Sequence, residues 1–369
     1  MTSIERKKVI MVLGAGQYQT DVIKKLRASG FYVVALDRDG SAVGFSEADK
    51  GLAVDISDKE AVFECAAKVC PDGIMPMNDF GTRAAFYACQ RLGLIGPSYL
   101  SGICGNDKGI MREIWSHENL PQPHFKVISL ADPRTVFNEG VSYPCIVKPA
   151  DSGGGGRGIS VVYAYDDLAD AIAHAEPFAA RGRVLIEEFI EGTEVTVESL
   201  IYKGEVHNLA ISDKIKVDSR FRVATSLNYP ADFSEDIIAR VFDIVTRAVE
   251  CLGVSNGAAH TELIISHNLD RISLVETGLR GGGGHVFGTI IEEVTGISGP
   301  VQLANILCGL SPELVPTRNM GCVYRFFNPP GRGQITSISY NESLVKGSQV
   351  AAFGITIKVG EIFEGLIDS

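Results

Sequence analysis

Residues 145–162, CIVKPADSGGGGRGISVV, constrain this chain more than any other stretch. An apolar run, Cys145 to Val147, reads as a buried strand that Lys148 and Pro149 bring to an end. Ser152, the glycines Gly153 to Gly156, Arg157 and Gly158 follow, and a β-branched run resumes at Ile159. A strand, glycine loop and strand can bring many backbone N–H groups close to one anion, because no side chain stands in the way. Lys148 and Arg157 add positive charge beside those amides, which makes polyphosphate the expected ligand. A mobile linker would carry serine and polar filler, and would not sit between two apolar strands with a lysine at its rim. Nor is this a Walker A loop, which ends in Gly-Lys-Ser/Thr and opens a helix. The expected nucleotide is covered by a flap and not seated on a helix N-terminus.

A chain of 369 residues has room for two or three domains and a large core. Its net charge of -11 argues against a nucleic-acid-binding surface. No apolar run approaches membrane-spanning length. The first apolar stretch runs straight into Gly14-Ala15-Gly16, so it reads as a β-strand and not as a secretion signal. The eight cysteines are scattered without a C-x-x-C pair, as reduced core thiols of a cytoplasmic protein would be.

Residues 8–13, 21–29 and 31–36 read as strand, helix and strand, with Gly14 and Gly16 in the turn and Asp37 at the end. Gln19 stands where a dinucleotide fingerprint needs its third glycine, so a tight structural turn is the better reading than NAD binding. The alternation continues with a helix from Asp58 to Val69, a strand from Gly73 to Pro76 and a helix from Gly81 to Leu92. Asn78, Asp79 and Phe80 follow a strand end, the edge where open α/β sheets bind ligands; a helix cap at Asp79 is the competing reading. Residues 93–105 look like a boundary. Asp107 then caps a helix whose first turn holds Lys108, against the helix dipole, as a phosphate-holding lysine would be. Beyond the flap, 168–180 reads as a helix. An apolar run then meets Glu187 and Glu188, and both Glu188 and Glu191 read as solvated. Ser234 opens an amphipathic scaffold helix.

The second chemical constellation is GAAHTELIISHNLDRISLVETGLRGGGGHVFG. Glu262 and Glu276 lie on neighbouring strands joined by a short turn, and Arg280, four glycines and His285 follow. Two inward carboxylates repel unless something positive sits between them, and such an oxygen pair suits magnesium with phosphate oxygens. Arg280 then faces the same phosphates. The segment from about Ser311 reads as β-rich, at 322–327, 333–338 and 354–359, without a catalytic pattern.

These motifs, in this order, resemble the ATP-grasp superfamily over essentially the whole chain: an Asp-Lys helix start, V-K-P with a glycine flap, E-E-F-I-x-G-x-E, then two glutamates and an arginine. The likeness is to the carbamoyl-phosphate-synthetase and biotin-carboxylase-like branch, which includes L-amino acid ligases. It implies an α/β chain with a Rossmann-like domain over 1–105, an ATP-grasp domain over 106–310 with a lid at roughly 125–190, and a small C-terminal subdomain over 311–369, short or truncated. It also implies residue roles. Lys108 and Lys148 hold ATP phosphates, with Lys148 also near the adenine. Ser152, Gly153, Gly154 and Gly158 belong to the closing flap. Glu187, Phe189 and Ile190 read the adenine, and Glu194 reads the ribose. Glu262 and Glu276 bind Mg2+ or Mn2+, and Arg280 stabilises the transferred phosphate. One departure stands out: Gly278 takes the asparagine position of the usual E-x-N-x-R.

The resemblance implies an ATP-dependent carboxylate–amine ligase acting through an acyl phosphate, on small-molecule substrates such as amino acids. Lys214, Arg220, His260 and His285 are the candidates for substrate contact, although the basic stretch 214–222 reads equally as a solvated loop. A homodimer is the expected assembly, without nucleic-acid or membrane partners. The alternatives are a purine-pathway carboxylase or formyltransferase of the same fold, a nucleotide-binding module without turnover, and an NAD-dependent oxidoreductase.

Overall fold

The computed structural model describes residues 6–131, 141–151, 156–216, 224–329 and 331–363. The chain opens with β1 (Val9–Leu13), α1 (Thr20–Ala28), β2 (Tyr32–Asp37), β3 (Lys50–Ala53), α2 (Lys59–Val69), β4 (Gly73–Pro76) and α3 (Asp79–Leu92). Its strands form a parallel sheet in the order β3-β2-β1-β4. Both faces of a parallel sheet are covered, and β1 and β4 are accordingly almost wholly buried. Gly14 turns out of β1 with φ +110, a conformation that favours glycine. Asp58 caps α2 through Glu60 and Ala61 N–H, and Asn78, not Asp79, caps α3 through Gly81 N–H.

Two short helices follow, α4 (Tyr99–Gly105) and α5 (Lys108–His117). The first lies inside the stretch expected to be a boundary; the Ser98 hydroxyl accepts the Ser101 N–H and starts it. The segment expected as the lid comprises β5 (Phe125–Ser129), β6 (Cys145–Pro149), β7 (Ser160–Val162), α6 (Leu168–Ala175) and β8 (Arg183–Glu188). Its antiparallel sheet has the order β5-β8-β6-β7. The helix expected to reach Ala180 ends at Ala175 and passes into a 3-10 turn at Glu176–Phe178, where Pro177 offers no N–H.

The third unit holds β9 (Gly192–Tyr202), β10 (Glu205–Lys216), β11 (Ala224–Tyr229), α7 (Glu235–Glu250), β12 (Gly257–Ser266), β13 (Ile272–Gly278), α8 (Ile291–Thr295), α9 (Gly299–Leu307) and β14 (Cys322–Arg325). Its antiparallel sheet runs β13-β12-β9-β10-β11-β14, so the strand at Cys322 completes the edge of this large sheet. The α7 stripe of Ile237, Val241, Ile244, Val245 and Ala248 is buried against the sheet, each large side chain stabilising by about 1.5–3 kcal/mol. Among the described residues beyond β14, Gly333–Gln334 pairs with Ile362–Phe363; residues 354–359, expected as a strand, make no ladder.

One continuous core joins Met11 and Leu13 of the first sheet to Val195, Val197 and Leu263 of the large one, through Trp115 and Phe86. The lid has its own core around Ile128, Val147, Leu168 and Ile186. The body is therefore packed as one piece, with the lid attached to it. All eight cysteines are free thiols. Among the described residues no helix is long and apolar enough to cross a membrane.

Candidate active site

Asp107 caps α5 by accepting the Ile110 N–H at 3.1 Å, which makes Lys108 the first helical residue. The Lys108 N–H donates to the Ala150 carbonyl at 2.7 Å and fixes the helix start beside the end of β6. Its ammonium lies 2.9 Å from Glu276. Burial pushes the Lys108 pKa down, but Glu276 and then Asp79 outweigh it and hold the group above its ordinary value. The penalty of a cation at a helix N-terminus is thus offset by carboxylates that surround it.

Lys148 points inward from β6 and is 4% exposed, 2.6 Å from an equally buried Glu187 on β8. Arg112, from the middle of α5, takes the other oxygen of Glu187 at 2.6 Å and donates to the Val275 carbonyl. Burial would raise the Glu187 pKa; Arg112 and Lys148 overcome it and bring the carboxyl to about 2. Lys148 is lowered, burial being the largest cause. Glu188, expected to be solvated, is instead held by Arg271 at 2.6 and 2.9 Å, while Glu191 is exposed. The Phe189 N–H is given to the Pro144 carbonyl at 3.3 Å, which ties the segment after β8 to the start of β6. Ser152, Gly153 and Gly154 lie outside the described residues. Gly158, at the far end of the loop, has φ +72 and packs so closely on Pro149 and Phe178 that a Cβ would meet both.

The register of the large sheet assembles the remaining groups. Glu262 on β12 pairs with Glu276 on β13, with a register shift just after Glu262. Glu194 on β9 stands opposite Lys214 on β10, and His260 on β12 opposite Glu198 on β9. Lys214 bridges Glu194 at 2.5 Å and Glu262 at 2.7 Å, and Lys216 also binds Glu194. His260 bonds the wholly buried Glu198 through Nδ1 and lies 3.5 Å from Glu262 through Nε2. Burial disfavours its charge, yet Glu198 and Glu262 prevail and raise its pKa to about 9. Burial also opposes ionisation of Glu262, but Lys214 and His260 hold that carboxyl well below the usual range.

Arg280 turns toward the N-terminal domain. It donates through Nε and Nη2 to both oxygens of Asp79, at 3.0 and 2.8 Å. His285 lies 3.4 Å from Asp21, edge-on to Tyr18 and Tyr324. Lys214 and His260, expected as substrate contacts, face carboxylates of the site; Arg220 lies outside the described residues. At the other glycine turn, Asp37 accepts from the Ala15 and Asp39 N–H groups, so its carboxylate serves the loop backbone.

Three contributors carry weak sequence signals. Arg112 sits in an ordinary amphipathic helix. Glu198 is a lone acid in an apolar strand, a pattern that does mark a buried polar network. Arg271 follows a turn aspartate and looks like a solvated end.

Residues 141–287 match the ATP-grasp domain family. The chain carries an ATP-grasp domain, and its architecture is the ATP-grasp fold. Among curated proteins it is similar to the formate-dependent phosphoribosylglycinamide formyltransferase of Dechloromonas aromatica, 30% identical over 207 residues that cover 53% of this chain and 52% of that protein. The chain thus spans about half the length of that relative. Among solved structures, the L-amino acid ligase from Bacillus licheniformis superposes with a TM-score of 0.85 at 22% identity, over 98% of this chain and 91% of that one. Biotin carboxylase from Campylobacter jejuni superposes with a TM-score of 0.72 at 21% identity, over 90% and 80%.

Proposed function

We propose that the chain is an ATP-dependent carboxylate–amine ligase that joins amino acids through an acyl phosphate and releases ADP and phosphate. The observation that carries this reading is the ion pair of Lys108 with Glu276, directly opposite Glu262, with the buried Lys148–Glu187 pair as a second cation site and Arg280 within electrostatic reach of Glu276. The energetic difficulty of such a reaction is crowded negative charge, since a carboxylate must approach a triphosphate. Lys108 and Lys148 offer cations from two different elements at the mouth of the flap. Arg280 faces the transferred group, where charge moves in the transition state.

Glu262 and Glu276 fit magnesium or manganese as an all-oxygen donor pair whose charge is now balanced by lysines. Among the described residues no three His, Cys, Asp or Glu side chains gather to hold a metal, so phosphate oxygens would complete the shell. When bound, the ion neutralises charge on the terminal phosphates. Lys148, Glu187 and the Phe189–Ile190 backbone would hold the base end, Glu194 the ribose. A homodimer belongs to the same proposal and is read by sedimentation.

The likeness to the formate-dependent enzyme supports a second reading, a purine-pathway formyltransferase or carboxylase. Chromatography of nucleotides after incubation with amino acid pairs, or with formate and phosphoribosylglycinamide, separates the two. ADP and phosphate formed only with an amino acid pair support the ligase, and stoichiometric AMP overturns the phosphoryl-transfer mechanism.

A further inference from the structure

We infer that Asp79, from the N-terminal domain, is a positioning residue that sets the guanidinium of Arg280, and that residue 278 is glycine to leave room for this pair. The inference rests on the reading of Arg280 as the group that faces the transferred phosphate.

Asp79 and Arg280 are 201 residues apart in sequence; Asp79 opens α3 just after the parallel sheet, and Arg280 lies just past the end of β13 of the large sheet. Their contact is two parallel N–H···O bonds, the geometry in which a guanidinium and a carboxylate fix each other's plane. Both side chains are largely buried, with 13% and 18% of their surface exposed. A third bond, Nη1 to the Gly281 carbonyl at 3.0 Å, pins the remaining arm. A guanidinium has five N–H donors. These three bonds leave one on Nη1 and one on Nη2, both aimed by Asp79.

The end of Asp79 is itself fixed. Asn78 caps α3, so the Asp79 carboxylate is not needed for the helix start. The Asp79 carbonyl accepts from Asn106 Nδ2 at 3.0 Å, which ties it to the segment just before Lys108. A buried ion pair is roughly neutral for stability against an apolar replacement, so stability alone gives no reason for this one. Placement does.

Gly278 closes the argument from the other side. A Cβ there would lie 3.3 Å from Asp79 Oδ1 and 3.5 Å from Arg280 Cζ. A methyl group would already touch the pair, and a side chain extending further in that direction would enter the space the pair fills.

The test uses Asp79→Asn, Gly278→Val and Arg280→Lys in the full chain, each checked for folding by its melting curve. Val suits a strand, so Gly278→Val disturbs the pair without removing either charge. Phenylglyoxal labelling with peptide mapping reads the exposure of Arg280 directly, without activity. Labelling should rise several-fold in Asp79→Asn and in Gly278→Val. In turnover, Asp79→Asn should lower kcat by about 10²-fold, as expected for a misplaced group, with unchanged ATP affinity. In the Arg280→Lys background the same substitution should add little. Unchanged labelling, or losses that add in the double variant, would overturn the inference. A wild-type protein that forms no ADP with any substrate pair would sink the ligase reading, while faster labelling of Arg280 would still support the pair.

Discussion

Glu262 and Glu276 stand opposite each other across β12 and β13, and each is neutralised by a different lysine. Lys214 reaches Glu262 along the large sheet, whereas Lys108 reaches Glu276 from a helix packed beneath the lid. Two carboxylates on adjacent strands thus draw their counter-charges from separate parts of the chain. A metal and phosphates entering between them would compete with both ion pairs.

Glu276→Gln removes one candidate metal oxygen while keeping the strand and its side-chain volume. Turnover should fall by about 10²–10³-fold and its magnesium dependence should be lost. Far-ultraviolet circular dichroism should be unchanged. Near-normal activity would remove Glu276 from the site. Lys148→Met should be equally inactive, because it withdraws a cation from the flap mouth.

ATP with magnesium should raise the melting temperature and NAD should not. At a ligand concentration of about 100 times Kd the gain is roughly 2.7 kcal/mol. The Asp37 carboxylate, which a dinucleotide ribose would need, is spent on Ala15 and Asp39. A shift with NAD and none with ATP would reverse the assignment.

Glu187 gives the protein an acid limb. Its folded pKa, about 2, lies below the ordinary 4.5, so the stabilisation is present above 4.5 and is lost as pH falls through 2. The displacement corresponds to roughly 3 kcal/mol. Urea titrations from pH 6 to pH 3 should show the stability of Glu187→Gln falling less steeply than that of the wild type. Parallel curves would mean that Glu187 is not held ionised by Arg112 and Lys148.

The four glycines after Arg280 are not equivalent. A Cβ on Gly281 would overlap the Phe287 ring, and one on Gly283 meets nothing. Gly281→Ala should destabilise by about 1–3 kcal/mol through overpacking, and Gly283→Ala should be nearly silent. Chemical denaturation of the two variants distinguishes them.

The βαβ rhythm of the first domain is legible in the sequence because its periodicities are local, and Lys148 is legible because it interrupts a short apolar run. The strand order of the large sheet is not, since β9 pairs with β12 across an intervening helix and two strands. Arg112 escapes for the same reason: its partner Glu187 lies 75 residues away, and a single arginine in a helix is chemically unremarked until the fold closes. Glu188 reads as solvated because its Arg271 partner is 83 residues distant. Asp79 sits where a ligand contact is expected, but only the structure shows that its carboxylate is given to Arg280.

Trp115 is the protein's one tryptophan, fully buried on α5, with its indole N–H donated to the Ala248 carbonyl. Arg112 lies over its ring at 5.5 Å, and the same guanidinium grips Glu187, which in turn grips Lys148. Tryptophan emission from this chain therefore has a single origin, directly against the Arg112 end of the salt-bridged triad proposed to meet the nucleotide. The fold has thus placed its own optical reporter beside the candidate site, and fluorescence can follow events there without any added dye.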